Sequence, residues 1–169
     1  MSAAGERLQG LAPVVDASTR VLVLGSFPGV ASLQAAQYYA HPRNAFWPVM
    51  GAVLADPALP GLPYAERLQR LKAGRIGLWD AVASCEREGS LDTAITAAAA
   101  SDLPSLLRQL PALRVIACNG GKAHAETLRI LGAVALPVLR LPSTSPAHAG
   151  LRPADKQLAW VAALQPHLA

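Results

Sequence analysis

The 169-residue sequence contains only two cysteines, and aromatic residues make up only 5% of it. Cys85 and Cys118 cannot supply the four thiolates of an iron–sulfur cluster. Both stand in apolar segments, so we expect buried thiols in a reducing cytoplasm. No apolar run is long enough to cross a bilayer, and the N-terminal segment lacks the continuous apolar core of a signal peptide. We therefore expect a cytoplasmic protein with no membrane partner.

Charged residues are also scarce, at 15% of the sequence against 52% hydrophobic residues. This balance excludes a disordered chain. The length suits one domain over residues 1–169, with residues 1–19 as an N-terminal extension or helix. The formal net charge of +4 permits a polyanionic partner without requiring one.

Several motifs of catalytic and cofactor sites are missing. "CNGGKAH" lacks the spacing and the hydroxyl of a phosphate-binding P-loop, and "GSFPG" is neither the dinucleotide fingerprint nor a nucleophile elbow. The histidines show no close metal-ligand spacing; they are His41, His124, His148 and His167. We expect neither a metal nor a cofactor.

Apolar runs that end in turns alternate with helical patterns along the chain. "RVLVL", "RIGLWDAVASC", "LRVIAC" and "ALPVLRL" are predicted strands, and Ser32 is expected to cap a helix through "SLQAAQYYA". This order predicts an α/β fold, a three-layer αβα sandwich around a mostly parallel sheet of about four strands. The strand ends "GSFPG", "WDAVASCE", "CNGGK" and "LPSTSPAHAG" would meet at one edge, where such sheets bind ligands.

Most of the aromatic side chains stand in one segment, between Gly25 and Met50. They alternate there with glycines, prolines and polar residues rather than at the spacing of a core element. This mixture predicts a pocket for a flat group.

The strongest signal is a resemblance that covers most of the chain. "GSFPG", "QYYAHPRNAFW", "GLWDAVASCEREGSLD", "NGGKA" and "LPSTSPAHA" occur in the order seen in the uracil-DNA glycosylase superfamily. The set is most similar to the hypoxanthine-DNA (deoxyinosine) glycosylase branch. The resemblance implies a monofunctional DNA glycosylase that extrudes a deaminated base from double- or single-stranded DNA and hydrolyses its glycosidic bond as a monomer.

The first motif departs from its mismatch-specific relatives, which carry Gly-x-Asn-Pro-Gly with the asparagine holding water. Phe27 stands at that position, and a phenyl ring cannot orient water. The resemblance therefore implies that Asn44 of "RNAFW" positions the water. The alternative for Asn44 is an ordinary helix N-cap.

The resemblance also implies a set of base-binding residues. Phe46 would stack on the base, or be an ordinary core ring, and Tyr39 would form a wall of the pocket. Ser26 and the backbone amides around Phe27 would donate hydrogen bonds to the departing base. Asp80 would read the edge of the base or activate water, and its alternative role is to cap the end of a strand.

The last motif implies contacts to the DNA backbone. Ser143, Thr144 and Ser145 would bind phosphate oxygens. His148 would stabilise the leaving base or contact phosphate, unless it is an exposed loop histidine. Lys122 and Arg43 are the further expected phosphate contacts.

The substrate implied first is hypoxanthine, and uracil or xanthine is the close alternative. Two other classes stay open at this point. One is a nucleic-acid-binding module that kept the pocket without the chemistry, and the other is an enzyme that acts on a free nucleoside or nucleotide.

Overall fold

The computed structural model describes residues 6–148 and 150–169. The described strands are β1 (Leu8–Gln9), β2 (Val21–Gly25), β3 (Ile76–Asp80), β4 (Val82–Glu86), β5 (Thr96–Ala100), β6 (Val115–Asn119) and β7 (Val138–Leu141). The described α-helices are α1 (Val30–Ala35), α2 (Phe46–Val53), α3 (Tyr64–Ala73), α4 (Leu103–Arg108), α5 (Gly121–Leu131) and α6 (Pro153–Leu168). Short 3-10 helices lie at Leu59–Gly61 and Asp92–Ala94.

A parallel sheet of four strands, in the order β3-β2-β6-β7, forms the centre of the fold. Every residue of β2 is buried, because Val21 and Val23 contact one hydrophobic core while Leu22 and Leu24 contact the other. A strand covered on both faces reads as a continuous apolar run rather than as an alternating one.

Helices cover both faces of this sheet. The larger core takes buried side chains from α2, α3 and α6, and the second takes them from α4 and α5. The expected three-layer αβα sandwich with a mostly parallel sheet of about four strands is confirmed.

A second, antiparallel sheet in the order β1-β4-β5 was not predicted. The segment "RIGLWDAVASC" is two strands, because the chain leaves the central sheet at Ala81 and β4 joins the second sheet. The alanine-rich segment after Ile95 forms β5, which pairs with β4 although alanine favours helices. Strand pairing with β4 therefore outweighs the local preference of this segment.

Residues 1–19 are expected to form an extension or a helix, and the described residues 6–19 contain no helix. Leu8 pairs with Cys85, and Val14 forms an antiparallel bridge with Leu78. Pairing with distant strands gives this segment its backbone hydrogen bonds, so it has no need of a helical turn. Residues 1–5 lie outside the described residues.

One helix start differs from expectation. The first helix begins at Val30, after Gly29, so Ser32 lies inside it and is not its cap. The Ser32 hydroxyl instead accepts a hydrogen bond from the Ala40 amide at 3.1 Å, which fixes the chain after the helix. By contrast, a side chain caps α4, because the Asp102 carboxylate accepts from the Ser105 amide.

The topology of the sheet places a crevice above β2. The chain passes from β2 to β3 on one side of β2, and β6 lies on the other side of β2. Ligands of open α/β sheets bind at such a switch point. Gly25, Asp80 and Asn119 end the three strands that meet there. None of the described helices is long and apolar enough to span a membrane.

Candidate active site

A cavity of about 570 Å³ opens at the carboxyl ends of β2, β3 and β6. This volume is in the range of small-molecule sites. Most of the residues singled out from the sequence line it, namely Ser26, Phe27, Tyr39, Asn44, Asp80, Ser143, Thr144, Ser145 and His148. Arg43, Phe46 and Lys122 lie outside its wall.

Asp80 is the most buried acidic side chain of the cavity, and only 5% of it is exposed. Its Oδ2 has no hydrogen-bond partner among the described residues. Burial, with a smaller contribution from the charge of Asp92, raises the pKa of Asp80 to about 7. The hydrogen bond at this strand end is made by the main chain, because the Asp80 carbonyl oxygen accepts from the Ser101 hydroxyl. Asp80 therefore presents a carboxyl group that can be protonated near neutral pH.

Gly25 lets this carboxyl group and a phenol approach the end of β2. A Cβ at position 25 would overlap the Asp80 carboxylate and would lie 3.1 Å from the Tyr39 hydroxyl. The first glycine of "GSFPG" is therefore required for close approach. It lets Asp80 and Tyr39 sit side by side in the cavity.

Tyr39 lines the cavity, whereas Phe46 does not. The expectation that Phe46 stacks on a base does not hold, because its side chain is fully buried and the Tyr39 ring is stacked on it. The two ring centroids lie 3.9 Å apart, and the ring planes meet at 16°. Phe46 thus supports Tyr39 from behind. Burial raises the pKa of the Tyr39 phenol far above its ordinary value, so its hydroxyl stays protonated.

Asn44 lines the cavity two residues before the start of α2, and the N-cap of that helix is Ala45. The Oδ1 of Asn44 accepts a hydrogen bond from the Phe46 amide at 2.9 Å, which turns the chain into the helix. The neighbouring Ala45 amide donates to the Thr144 carbonyl oxygen. Asn44 is therefore held at the point where α2 meets the loop after β7.

The loop between β2 and α1, called the first loop below, carries Ser26 and Phe27 in the cavity wall. The Ser26 hydroxyl donates to Oδ1 of Asp92 at 2.5 Å, and Asp92 also lines the cavity. Phe27 packs against Val82 and Cys85 beneath the loop. The first motif thus joins a core ring to a hydrogen-bonded serine.

This chain resembles known proteins over most of its length. Residues 12–169 match the family described as the Uracil DNA glycosylase superfamily. A protein of Methanosarcina barkeri (strain Fusaro), named hypoxanthine DNA glycosylase, is 38% identical over 126 residues, which are 73% of this chain and 79% of the relative. A protein of the same name from Methanosarcina acetivorans is 37% identical over 140 residues, which are 83% and 87% of the two chains.

A solved structure has the same fold. The solution NMR structure of a candidate uracil DNA glycosylase from Methanosarcina acetivorans superposes with a TM-score of 0.81 at 34% identity, over 96% of this chain and 99% of that one. The chain belongs to the uracil DNA glycosylase superfamily. It is a DNA glycosylase, a hydrolase of N-glycosyl bonds, and its substrate is DNA.

In this member of the superfamily, the loop after β7 is anchored from both sides. Asn119 and Thr144 exchange two hydrogen bonds, each of 2.9 Å. The Lys156 ammonium donates to the carbonyl oxygen of His148 at 2.7 Å, and the Trp160 indole donates to that of Pro142. The loop is therefore a fixed rim, with the His148 side chain exposed at it.

One residue expected to contact phosphate, Thr144, has a different role in the structure. Only 1% of Thr144 is exposed and its hydroxyl accepts from the Asn119 amide, so Thr144 holds the loop rather than facing DNA. Ser143 and Ser145 remain at the surface of the cavity.

Two expected cationic contacts lie beside the cavity rather than in it. Arg43 is exposed, and its amide donates to the ring of His41. Lys122 lies in the first turn of α5, whose start at Gly120 and Gly121 lines the cavity, and its ammonium group is 3.3 Å from the Glu126 carboxylate. Both cations could meet phosphates that flank an extruded nucleotide.

Sequence reasoning missed Asp92 and Asn119 as members of the site. Both lie in motifs that carry the resemblance, "GSLD" and "NGGKA". Their hydrogen-bond partners are distant in the chain, since Ser26 lies 66 positions before Asp92 and Thr144 lies 25 positions after Asn119. Among the described residues, no group of three or more acidic, histidine or cysteine side chains could hold a metal ion.

Proposed function

We propose that this glycosylase removes hypoxanthine from DNA, that is, the base of deoxyinosine. The proposal rests on the cavity with Asp80 at its end and is supported by the two relatives named hypoxanthine DNA glycosylase. It includes a single catalytic domain over residues 1–169 that acts as a monofunctional enzyme and as a monomer, in the cytoplasm.

The unpartnered carboxyl group of Asp80 is the observation that carries the choice of substrate class. Hypoxanthine presents an N1–H donor next to the O6 acceptor, and a protonated carboxyl group can accept from the first and donate to the second. Adenine presents the reverse set, an N6 donor beside the N1 acceptor, and a protonated carboxyl group fits that set as well. The ionised form of Asp80 makes the distinction, because a carboxylate only accepts and the N1 of adenine has no hydrogen to donate.

Base extrusion precedes the chemistry. A base inside a duplex is out of reach, and flipping it out costs a few kcal/mol. The exposed part of the Tyr39 ring offers a stacking surface, which is worth ~1–3 kcal/mol per base. The Phe46 ring behind Tyr39 keeps that surface in place. Stacking therefore offsets part of the cost of extrusion.

Hydrolysis requires a positioned water and a stabilised leaving group. Asn44 is the proposed water-positioning residue, since its amide lines the cavity next to the anchored loop. The backbone amides of the first loop, that of Ser26 included, are the proposed donors to the departing base, since the Ser26 hydroxyl already donates to Asp92. His148 lies at the rim, where it can meet the base or a phosphate. Ser143, Ser145, Arg43 and Lys122 are the proposed contacts to the DNA backbone.

The test is an excision assay with duplex oligonucleotides that hold a single deoxyinosine, deoxyuridine or deoxyxanthosine. The wild type should yield an alkali-labile site fastest at deoxyinosine. Asn44→Ala should lower the single-turnover rate about 100-fold or more, as loss of one preorganised hydrogen-bonding group does. Gln34→Ala, an amide removed from an exposed position of α1, should cleave at the wild-type rate.

The outcomes separate the alternatives. Faster cleavage at deoxyuridine or deoxyxanthosine than at deoxyinosine would make uracil or xanthine, rather than hypoxanthine, the preferred substrate. Binding to a non-cleavable abasic-site duplex without release of any base would favour a nucleic-acid-binding module. An Asn44→Ala protein that folds and cleaves normally would remove Asn44 from the proposed mechanism.

A further inference from the structure

A second carboxylate, Asp92, faces the same cavity as Asp80. It opens the 3-10 helix Asp92–Ala94, in the connection between β4 and β5. The hydroxyl of Ser26, in the first loop, donates to its Oδ1 at 2.5 Å. This contact ties a segment of the second sheet to the loop that follows β2.

We propose that Asp92 is the general base of the reaction, which takes a proton from the attacking water. The inference rests on the proposed glycosylase function and adds a catalytic residue to it. Asp92 has a carboxylate oxygen, Oδ2, beyond the one that accepts from Ser26, and a water in the cavity can donate to it.

The two carboxyl groups of the cavity have opposite surroundings. Asp80 is buried with one oxygen unpartnered among the described residues, whereas Asp92 is exposed and accepts a hydroxyl hydrogen bond. Two carboxyl groups in unlike surroundings can divide the work of acid and base. Asp80 then serves as the proton donor and Asp92 as the proton acceptor.

Other residues of the cavity are less suited to accept this proton. Phe27, next to Ser26, has no polar atom in its side chain. The Oδ1 of Asn44 accepts from the Phe46 amide, and an amide does not take up a proton near neutral pH. Asp92 supplies a basic carboxylate at the first loop, because it contacts Ser26, the residue before Phe27.

The charged and titratable groups around Asp92 come from three elements. Asp80 ends β3, Arg87 follows β4, and Tyr39 lies before α2. The Arg87 guanidinium donates to the Pro28 carbonyl oxygen at 2.7 Å and lies 5.2 Å from the centre of the Phe27 ring. It is therefore a cation beside the loop that Asp92 contacts.

The step balances without any further reactant. The water oxygen forms a bond to C1′ as the bond from C1′ to the base nitrogen breaks, and the electron pair of that bond leaves with the base. Asp92 takes one proton of the water, and Asp80 gives its proton to the base. Exchange with solvent then restores both carboxyl groups.

The experiment compares Asp92→Asn with Glu88→Gln, which changes an exposed acid of the same connection. Single-turnover excision is measured on whichever of the three substrates the wild type cleaves fastest. Asp92→Asn should be at least 100-fold slower, since general-base catalysis contributes 10²–10⁴-fold, and Glu88→Gln should match the wild type. Affinity for a non-cleavable abasic-site duplex should be unchanged or higher in Asp92→Asn, because a negative charge near the phosphates is removed.

Chemical rescue is a readout that a merely structural role would not give. Sodium formate at about 100 mM should raise the rate of Asp92→Ala at least tenfold, because the small carboxylate can occupy the vacated position. Excision by Asp92→Asn within threefold of the wild type would overturn the inference and leave the proposed function intact. A slow Asp92→Ala protein without rescue would assign Asp92 a structural role instead. A wild type that releases none of the three bases would overturn both proposals.

Discussion

Asp80 combines a stability cost with a functional gain. Its carboxyl group is buried beside Gly25 and Tyr39, and its Oδ2 has no partner within the described part of the chain. A buried carboxylate without hydrogen bonds destabilises the folded state in its charged form. A protein tolerates such a group where its chemistry is used, and we propose that use for Asp80.

The stability of the protein should therefore fall with pH through Asp80. The folded pKa is about 7 and an unfolded aspartate has a pKa of about 3.9, so the folded state binds more protons between these values. Stability from this group is fully present below pH about 4 and is lost as pH rises through about 7. Asp80→Asn should remove this pH-dependent loss of stability. The difference in free energy of unfolding, variant minus wild type, should therefore increase by about 4 kcal/mol between pH 4 and pH 8.

Urea unfolding of both proteins across this pH range checks the prediction. A difference between variant and wild type that stays constant with pH would show that Asp80 has an ordinary pKa. The same variant should excise bases poorly at every pH, because an amide cannot deliver a proton to the leaving base.

Tyr39 and Phe46 show how one stacked pair divides its tasks. Phe46 is fully buried in α2, whereas Tyr39 faces the cavity with a backbone φ of 54°. This left-handed conformation is uncommon for a non-glycine residue and turns the chain at Tyr39. The strained residue carries the proposed function, while its buried neighbour supplies the support.

At the scale of elements, the rim of the cavity depends on a pair of residues that joins β6 to the loop after β7. Asn119 ends the strand, and Thr144 lies in the loop with 1% of its surface exposed. The Asn119 side chain donates to the Thr144 hydroxyl and accepts from the Thr144 amide. Both groups of the asparagine amide are therefore used to hold the loop.

Thr144→Val should separate the hydroxyl from the shape of the side chain. Valine keeps the volume but leaves the Asn119 donor unpaired, so we expect a loss of about 1–3 kcal/mol in the free energy of unfolding. Thr144→Ser keeps the hydroxyl and should lose about 0.8 kcal/mol or less for the missing methyl group. Chemical denaturation of both variants measures the two costs, and a valine variant as stable as the serine variant would contradict the role of the pair.

Across the whole molecule, charge is arranged for contact with DNA only in a modest way. The net charge is +4, and the expected phosphate contacts Arg43 and Lys122 lie beside the cavity. Two acidic side chains, Asp80 and Asp92, line the cavity itself, so the proposed phosphate contacts lie at the rim and the proposed chemistry lies inside.

Lys122→Ala should weaken DNA binding and reduce its dependence on salt. Loss of one phosphate contact lowers the slope of log affinity against log salt by about 1. Lys72→Ala changes a lysine of α3, a helix that contributes no residue to the cavity wall, and should leave the slope unchanged. Fluorescence anisotropy with an abasic-site duplex at several salt concentrations distinguishes the two. Equal slopes for Lys122→Ala and the wild type would exclude Lys122 from the contact.

The central sheet could be predicted because its strands are determined locally. The apolar run Val21–Leu24 and the turn residues after it indicate a buried strand and its end without reference to the rest of the chain. The second sheet could not be predicted in the same way. Its strand β1 has only two residues, and β5 is an alanine-rich segment that becomes a strand by pairing with β4.

The sequence by itself determined the family, the layered α/β fold and the edge of the sheet that carries the site, because these follow from periodicity and from motifs that are continuous in the chain. Only the tertiary structure decided which side chains face the cavity. Tyr39 covers Phe46, and Ser26 meets Asp92 across 66 residues, because packing between distant segments selects these contacts. The raised pKa of Asp80 has the same origin, since burial is a property of the surrounding fold and not of the residue.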